Sequence, residues 1–169
     1  MKISPNPTFP LRGYPENTEI DWWDETGRLV QFCAEEVRRQ QDTPWHVWKL
    51  YRAFGWAQER YMKDITIYSA TIREIGKLVD EDADMGYRND SIWIGGIAKM
   101  HHAAVPGAID DLVNEQGKLT PLEFYARFEE IHPFFDGNGR SGKVLYNWKN
   151  GTLWNPVWPK DLYGGIENP

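Results

Sequence analysis

The stretch His132-Pro133-Phe134-Phe135-Asp136-Gly137-Asn138-Gly139-Arg140-Ser141-Gly142-Lys143 constrains this chain more than any other. It sits between two helical patterns. Thr120-Pro121-Leu122-Glu123 is a helix start, with Thr as N-cap, Pro at the first helical position and Glu completing a capping box. That helix turns Leu122, Tyr125, Phe128 and Ile131 inward and delivers His132 at its end. A second helix is expected from Gly139 to Asn150. It buries Val144, Leu145 and Trp148, and Gly151 stops it. Between the helices, His132 can accept a proton near neutral pH. Asp136 is a hard oxygen ligand of the kind Mg²⁺ takes alongside substrate phosphates. Gly137-Asn138-Gly139 can turn backbone N–H groups into a concavity at a helix N-terminus, where phosphate is favoured, and Arg140 and Lys143 add positive charge. Asp-Gly-Asn-Gly alone reads as an ordinary turn. With His132 before it and the cations after it, the pattern points to an enzyme acting on a nucleotide or another phosphorylated substrate.

A phosphate-binding P-loop is excluded by context. Gly137 to Lys143 fits G-x-x-x-x-G-K, but Val144 stands where Ser or Thr would hold Mg²⁺, and no β-strand pattern precedes it.

The rest of the chain reads as mainly α. Trp22–Gln41 carries Leu29, Val30, Phe32, Cys33 and Val37 on one face, with Glu35, Glu36, Arg38, Arg39 and Gln40 mostly on another. Thr43-Pro44 starts a second helix to about Lys63, with Val47, Leu50, Tyr51, Phe54 and Tyr61 in register. A third runs from Asp64 to Val79 along Ile65, Tyr68, Ile72 and Ile75. These stripes are core faces. Asp80-Glu81-Asp82-Ala83-Asp84 reads as a solvated loop. Gly86–Ala98 breaks the pattern: Ser91–Ile94 suits a short strand and Gly95-Gly96 a turn. His101 and His102 are adjacent, so they diverge and are not expected to bind metal. A short helix is expected over Gly107–Asn114, ended by Gly117. The tail through Trp154, Pro156, Trp158 and Pro159 is expected to pack back irregularly, with a short helix near Leu162. Phe134 is expected to anchor the loop in the core.

Composition adds exclusions. Nine Trp and eight Tyr in 169 residues are assigned chiefly to core. A net charge of −6 gives no overall basic field for nucleic acid. One cysteine, Cys33, excludes an internal disulfide and a cysteine-based zinc site. No apolar run approaches a membrane span, and Met1–Pro7 lacks a signal-peptide core, so a cytoplasmic protein is expected, with delivery to a host cell as an alternative destination. Residues 1–18, with Pro5, Pro7, Pro10 and Pro15, read as an extended arm, and 19–169 as one domain.

The twelve residues closely resemble the Fic (Fic/Doc) signature H-P-F-x-[D/E]-G-N-G-R-x-x-R, with Lys143 in place of the final Arg. Gly86-x-Arg88 with Ile94-Gly95-Gly96 and Pro106 resembles the family's flap, Ala126–Ile131 its preceding helix, and Asn147 a residue of its following helix. The resemblance implies a helical bundle with a short β-hairpin flap. It implies transfer of a nucleoside monophosphate, AMP from ATP, to a Tyr, Thr or Ser hydroxyl of a target protein. His132 is then the catalytic base and Asp136 the Mg²⁺ ligand. Gly137, Asn138, Gly139, Arg140, Lys143 and Asn147 are nucleotide-binding, and Ile92, Trp93 and Ile94 dock the target. Alternatives are a Doc-like protein kinase, against which the intact Gly-Asn-Gly argues, and a weak or non-catalytic binding module, which Lys143 mildly favours. The family's inhibitory pattern [S/T]-x-x-x-E-[G/N] is absent. Restraint from a separate antitoxin-like protein, no restraint, or inherently weak activity remain as readings.

Overall fold

A computed structural model describes residues 22–80 and 86–160. The expected arm over 1–18, most of the acidic run and the short helix near Leu162 lie outside the described residues. The architecture is mainly α, with a two-stranded hairpin. In chain order come α1 (Trp22–Arg39), α2 (His46–Met62), α3 (Ser69–Val79), β1 (Trp93–Ile94), β2 (Ile97–Ala98), α4 (Val105–Glu115), α5 (Pro121–Ile131) and α6 (Asn138–Asn150). Short 3₁₀ turns over His102–Ala104 and Gln116–Lys118 flank α4.

α6 is the hub, packing against α2, α3 and α5. It is buried almost all round: Asn138, Arg140, Ser141, Gly142 and every residue from Val144 to Trp148 are inside. Around it, Phe32 and Cys33 of α1, Leu50 and Phe54 of α2, Ile72 and Ile75 of α3, Ile109 of α4, and Phe124 and Phe128 of α5 form one continuous apolar core. Leu153 and Trp154 close it from the tail. Each such side chain contributes about 1.5–3 kcal/mol when fully withdrawn from water.

The third helix starts later than its stripe predicts, at Ser69 rather than Asp64. Asp64 takes a left-handed φ of 55°, ending the α2 turn. The chain is extended at Tyr68, whose N–H donates to Thr71 Oγ1 at 3.1 Å and restarts the helix. Thr43 is likewise not the α2 N-cap. A turn closed by His46 N–H on the Thr43 carbonyl (3.0 Å) comes first, and Trp45 occupies the cap without a side-chain bond.

At α5 the expected capping box is present. Thr120 Oγ1 accepts from Glu123 N–H at 3.2 Å, and Glu123 Oε2 accepts from Thr120 N–H at 2.8 Å. Gly151 ends α6 in the left-handed region, φ 70°. The hairpin pairs Trp93 with Ala98 and Ile94 with Ile97. Its two-residue turn needs positive φ at both positions, and Gly95 (56°) and Gly96 (79°) supply it.

Candidate active site

The loop between α5 and α6 is braced from three sides. His132 closes α5 as its C-cap in a left-handed conformation, φ 51° and ψ 66°. A non-glycine residue in this region carries strain, so its surroundings must hold it. Arg88, almost wholly buried, does so. Its backbone N–H donates to the Pro133 carbonyl at 2.8 Å and its Nε to the His132 carbonyl at 2.8 Å. Its remaining nitrogens donate to the carbonyls of Asp90 (3.0 Å), Ile131 (3.4 Å) and Met100. One guanidinium thus ties the hairpin region to the loop.

The second brace is Phe134, 1% exposed. Its ring lies where a Cβ on Gly76 of α3 would stand, 2.5 Å from that position, so only glycine admits it. The third is Asn138. Its carboxamide Oδ1 accepts from Phe134 N–H at 2.9 Å, and its Nδ2 donates to the Phe134 carbonyl at 2.8 Å. Both halves of the amide hold the loop. The part of Asn138 left to meet a phosphate is its backbone N–H in the first turn of α6.

His132 is mostly enclosed. Burial, reinforced by the positive charge of Lys99, pushes its imidazole down to about 4, so the ring is neutral at neutral pH. Nδ1 is buried and lies 3.9 Å from Glu129 Oε2. Burial raises the Glu129 carboxyl, although Lys143 and Lys99 pull the other way. Asp136 is the opposite case, with a side chain 67% exposed. Its Oδ1 accepts from Gly137 N–H at 2.6 Å and its Oδ2 stands 3.5 Å from Arg140. Among the described residues no group of three or more His, Cys, Asp or Glu could hold a metal. A lone exposed carboxylate such as Asp136 could hold a cation only if the other oxygens came from substrate and water.

Four residues assigned to the nucleotide by resemblance are engaged elsewhere. Arg140 is fully buried. It donates to the Val79 carbonyl at 2.8 Å and pairs with Asp42 (3.1 Å), Asp80 (3.2 Å) and Asp136 (3.5 Å). Asp80 is accordingly an interior ion-pair partner, not part of a solvated loop. Lys143 donates to Tyr125 Oη at 2.9 Å and lies 3.4 Å from Glu36 Oε1. Burial alone would lower its ammonium, but Glu36, Tyr125 and Glu129 outweigh that and raise it. Asn147 faces the tail: its Oδ1 accepts from Val157 N–H (2.8 Å) and Thr152 Oγ1 (2.6 Å), and its Nδ2 donates to the Val157 carbonyl (3.1 Å). Both ends of its amide are occupied by the tail and by the Lys143 carbonyl. Asn138 is the fourth, as described.

The end of α1 supplies what sequence reading missed. Glu36 is 2% exposed and also accepts from Gln40 Nε2 (2.6 Å) and Trp158 Nε1 (3.0 Å). Gln40 sits over the first turn of α6, with its Nε2 2.2 Å from where a Cβ on Gly139 would be. Glu36, Gln40 and Asp42 thus cover Lys143, Gly139 and Arg140. The signal was present: Glu36 lies one turn on from Phe32 and Cys33, inside the apolar stripe, where an unpaired acid would be expensive.

In the hairpin, Trp93 (63%) and Ile94 (47%) are exposed, as are Ile97 (71%) and, in the loop, Phe135 (50%). Ile92 is partly covered, and its carbonyl accepts from Lys99 N–H at 3.0 Å.

No curated protein matches the chain. Among solved structures it is similar to IbpAFic2 covalently tethered to Cdc42, with 19% identity and a TM-score of 0.59 over 85% of this chain and 52% of that one. It is similar to IbpAFic2 alone, with 17% identity and a TM-score of 0.58 over 88% and 53%. A Fic domain containing signaling protein from Bacteroides thetaiotaomicron aligns at 20% identity and a TM-score of 0.50 over 75% and 63%. At these identities the likeness is one of fold, and the chain spans about half the length of the two IbpAFic2 chains. A sequence model described as Fic/DOC family matches residues 65–149, from before α3 to the end of α6. That match takes in half of the chain, including the His132 loop, and the chain belongs to the Fic/DOC family.

Proposed function

We propose that this protein transfers a nucleoside monophosphate, AMP from ATP, to a Tyr, Thr or Ser hydroxyl of another protein. The observation that carries this reading is the pairing of a neutral, strained, Arg88-clamped His132 with an open Asp136 carboxylate, four residues on at the N-terminus of α6. Nε2 of His132 takes the acceptor proton, since Nδ1 is enclosed on the Glu129 side. The acceptor oxygen bonds to the α-phosphorus, the bond from that phosphorus to the bridging oxygen breaks, and pyrophosphate leaves. Asp136 would hold a Mg²⁺ ion, which would supply charge neutralisation for the substrate phosphates. The N–H groups of Asn138 and Gly139, in the first turn of α6, face the growing negative charge, while that of Gly137 holds the Asp136 carboxylate. Arg140 contributes from behind the loop, where it is buried and held by Val79, Asp42, Asp80 and Asp136. The exposed Ile94 and Trp93 form an edge to which an extended target segment can add as a strand. A protein acceptor is in keeping with the fold relative held on Cdc42.

Intact mass spectrometry of a lysate incubated with the purified chain, Mg²⁺ and each nucleoside triphosphate tests this. Addition of a nucleoside monophosphate mass supports the reading. Addition of a bare phosphoryl group replaces it with the kinase reading, and no addition leaves a binding module. His132→Ala should abolish the added mass while leaving nucleotide binding within about threefold, since the base meets the acceptor oxygen and not the phosphates.

A further inference from the structure

The outer face of α2 carries a pattern that the site does not use. Trp45, at its N-cap, is 67% exposed, Trp48 is 54% exposed and Met62 is 54% exposed, with Ile65 just past the helix at 38%. Between them the same stripe holds exposed Arg52, Gly55 and Glu59. A Cβ on Gly55 would meet nothing within 4 Å, so the stripe has a shallow open point at its middle. Among the described residues Arg52 makes no ion pair, while Glu59 pairs with Lys63 at 2.7 Å.

The order of these residues is self-complementary. A copy of α2 laid antiparallel on this face, with the two-fold axis at Gly55, sets Trp48 against Met62. Arg52 of each copy then stands one residue off the level of Glu59 of the other, about 1.5 Å along the axis and within reach of these long side chains. An isologous contact requires this reciprocity, residue i meeting j and j meeting i. Glycine at the crossing lets the two backbones approach closely. The stripe from Trp48 to Met62 is roughly 21 Å long at the α-helical rise.

We propose that this face is the contact between two copies of the chain, a two-fold dimer closed by antiparallel α2 helices. A single helix pair covers less than the roughly 1,200 Å² of a standard stable interface, so the dimer is weak, with a dissociation constant on the order of 10–100 µM. Trp48 and Met62 supply the apolar centre, and the two Arg52–Glu59 pairs set register and orientation.

Sedimentation velocity of the full chain between about 1 µM and about 1 mM reads the result directly. The wild type should move from monomer towards dimer across that range. Arg52→Glu places Glu opposite Glu and should weaken association by at least about tenfold; Glu59→Arg places Arg opposite Arg and should do the same. An equimolar mixture of the two variants restores opposite charges at both pairs and should regain the dimer. That regain also shows both variants folded. A wild type monomeric throughout, a variant that associates like the wild type, or a mixture that stays monomeric overturns the proposal.

Discussion

His132 makes the fold sensitive to acid. Its imidazole titrates near 6.5 in the unfolded chain and is held to about 4 in the folded one. Between those values the unfolded state binds more protons, so the stability supplied by the neutral ring is complete above about pH 6.5 and drains away as pH falls towards 4. The loss is at most about 3 kcal/mol, from the usual 1.36 kcal/mol per unit. Urea unfolding at pH 7 and pH 4.5 should show this loss in the wild type and a smaller one in His132→Gln. Lys143 presents a different balance. With Glu36 it forms a pair whose members are each nearly enclosed. Lys143→Met leaves the Glu36 carboxylate buried without its cation and should lower stability by roughly 3–5 kcal/mol. Adding Glu36→Gln should recover part of that, and a double-mutant cycle on unfolding free energies would read the coupling. Strictly additive losses would remove the pair as a unit.

At the level of elements, the hairpin and the α5–α6 loop behave as one body because Arg88 binds both. Arg88→Ala removes donors from the carbonyls of Ile131, His132, Asp90 and Met100 together. Hydrogen exchange should then quicken in both 92–99 and 131–134, by on the order of tenfold or more per 1.4 kcal/mol lost, while α2 is unaffected. The α1–α2 corner is the second element with a role beyond packing. Gln40 and Asp42 lie over Gly139 and Arg140. Gln40→Ala with Asp42→Asn should expose the first turn of α6, release Arg140 from one of its carboxylates, and tighten nucleotide binding by on the order of tenfold in calorimetry. Weaker binding by a folded double variant would make the corner part of the nucleotide site instead of its cover.

At the level of the molecule, the parts legible in the sequence were those decided locally. The Thr120–Glu123 cap, the Gly95-Gly96 turn and the Gly151 stop each depend on a few adjacent residues. The His132–Lys143 stretch was legible because its chemistry is consecutive. The place of α6 at the centre was not. Asn138, Arg140 and Asn147 were assigned to the nucleotide by resemblance, yet they and Ser141 are buried. Arg140 and Asn147 are satisfied by Val79, Asp80, Asp42 and Val157, partners remote in sequence or beyond the helix. No periodicity encodes that. The same limit placed the tryptophans as a class too far inside: Trp45 and Trp48 face outward, because indole is tolerated at contact surfaces as well as in cores.

The fit of Phe134 against Gly76 has a consequence for how such chains can diverge. A methyl group at position 76 and a phenyl ring at 134 exclude each other, and the ring sets the height of the loop above α3. Neither position can drift alone. Gly76→Ala should be harmful by itself and tolerated beside a trimmed Phe134→Leu, and comparing thermal midpoints of the two singles and the double would reveal it. The two sites therefore evolve as a linked pair, and the narrow gap between them limits which neighbouring sequences this active-site loop can reach by single steps.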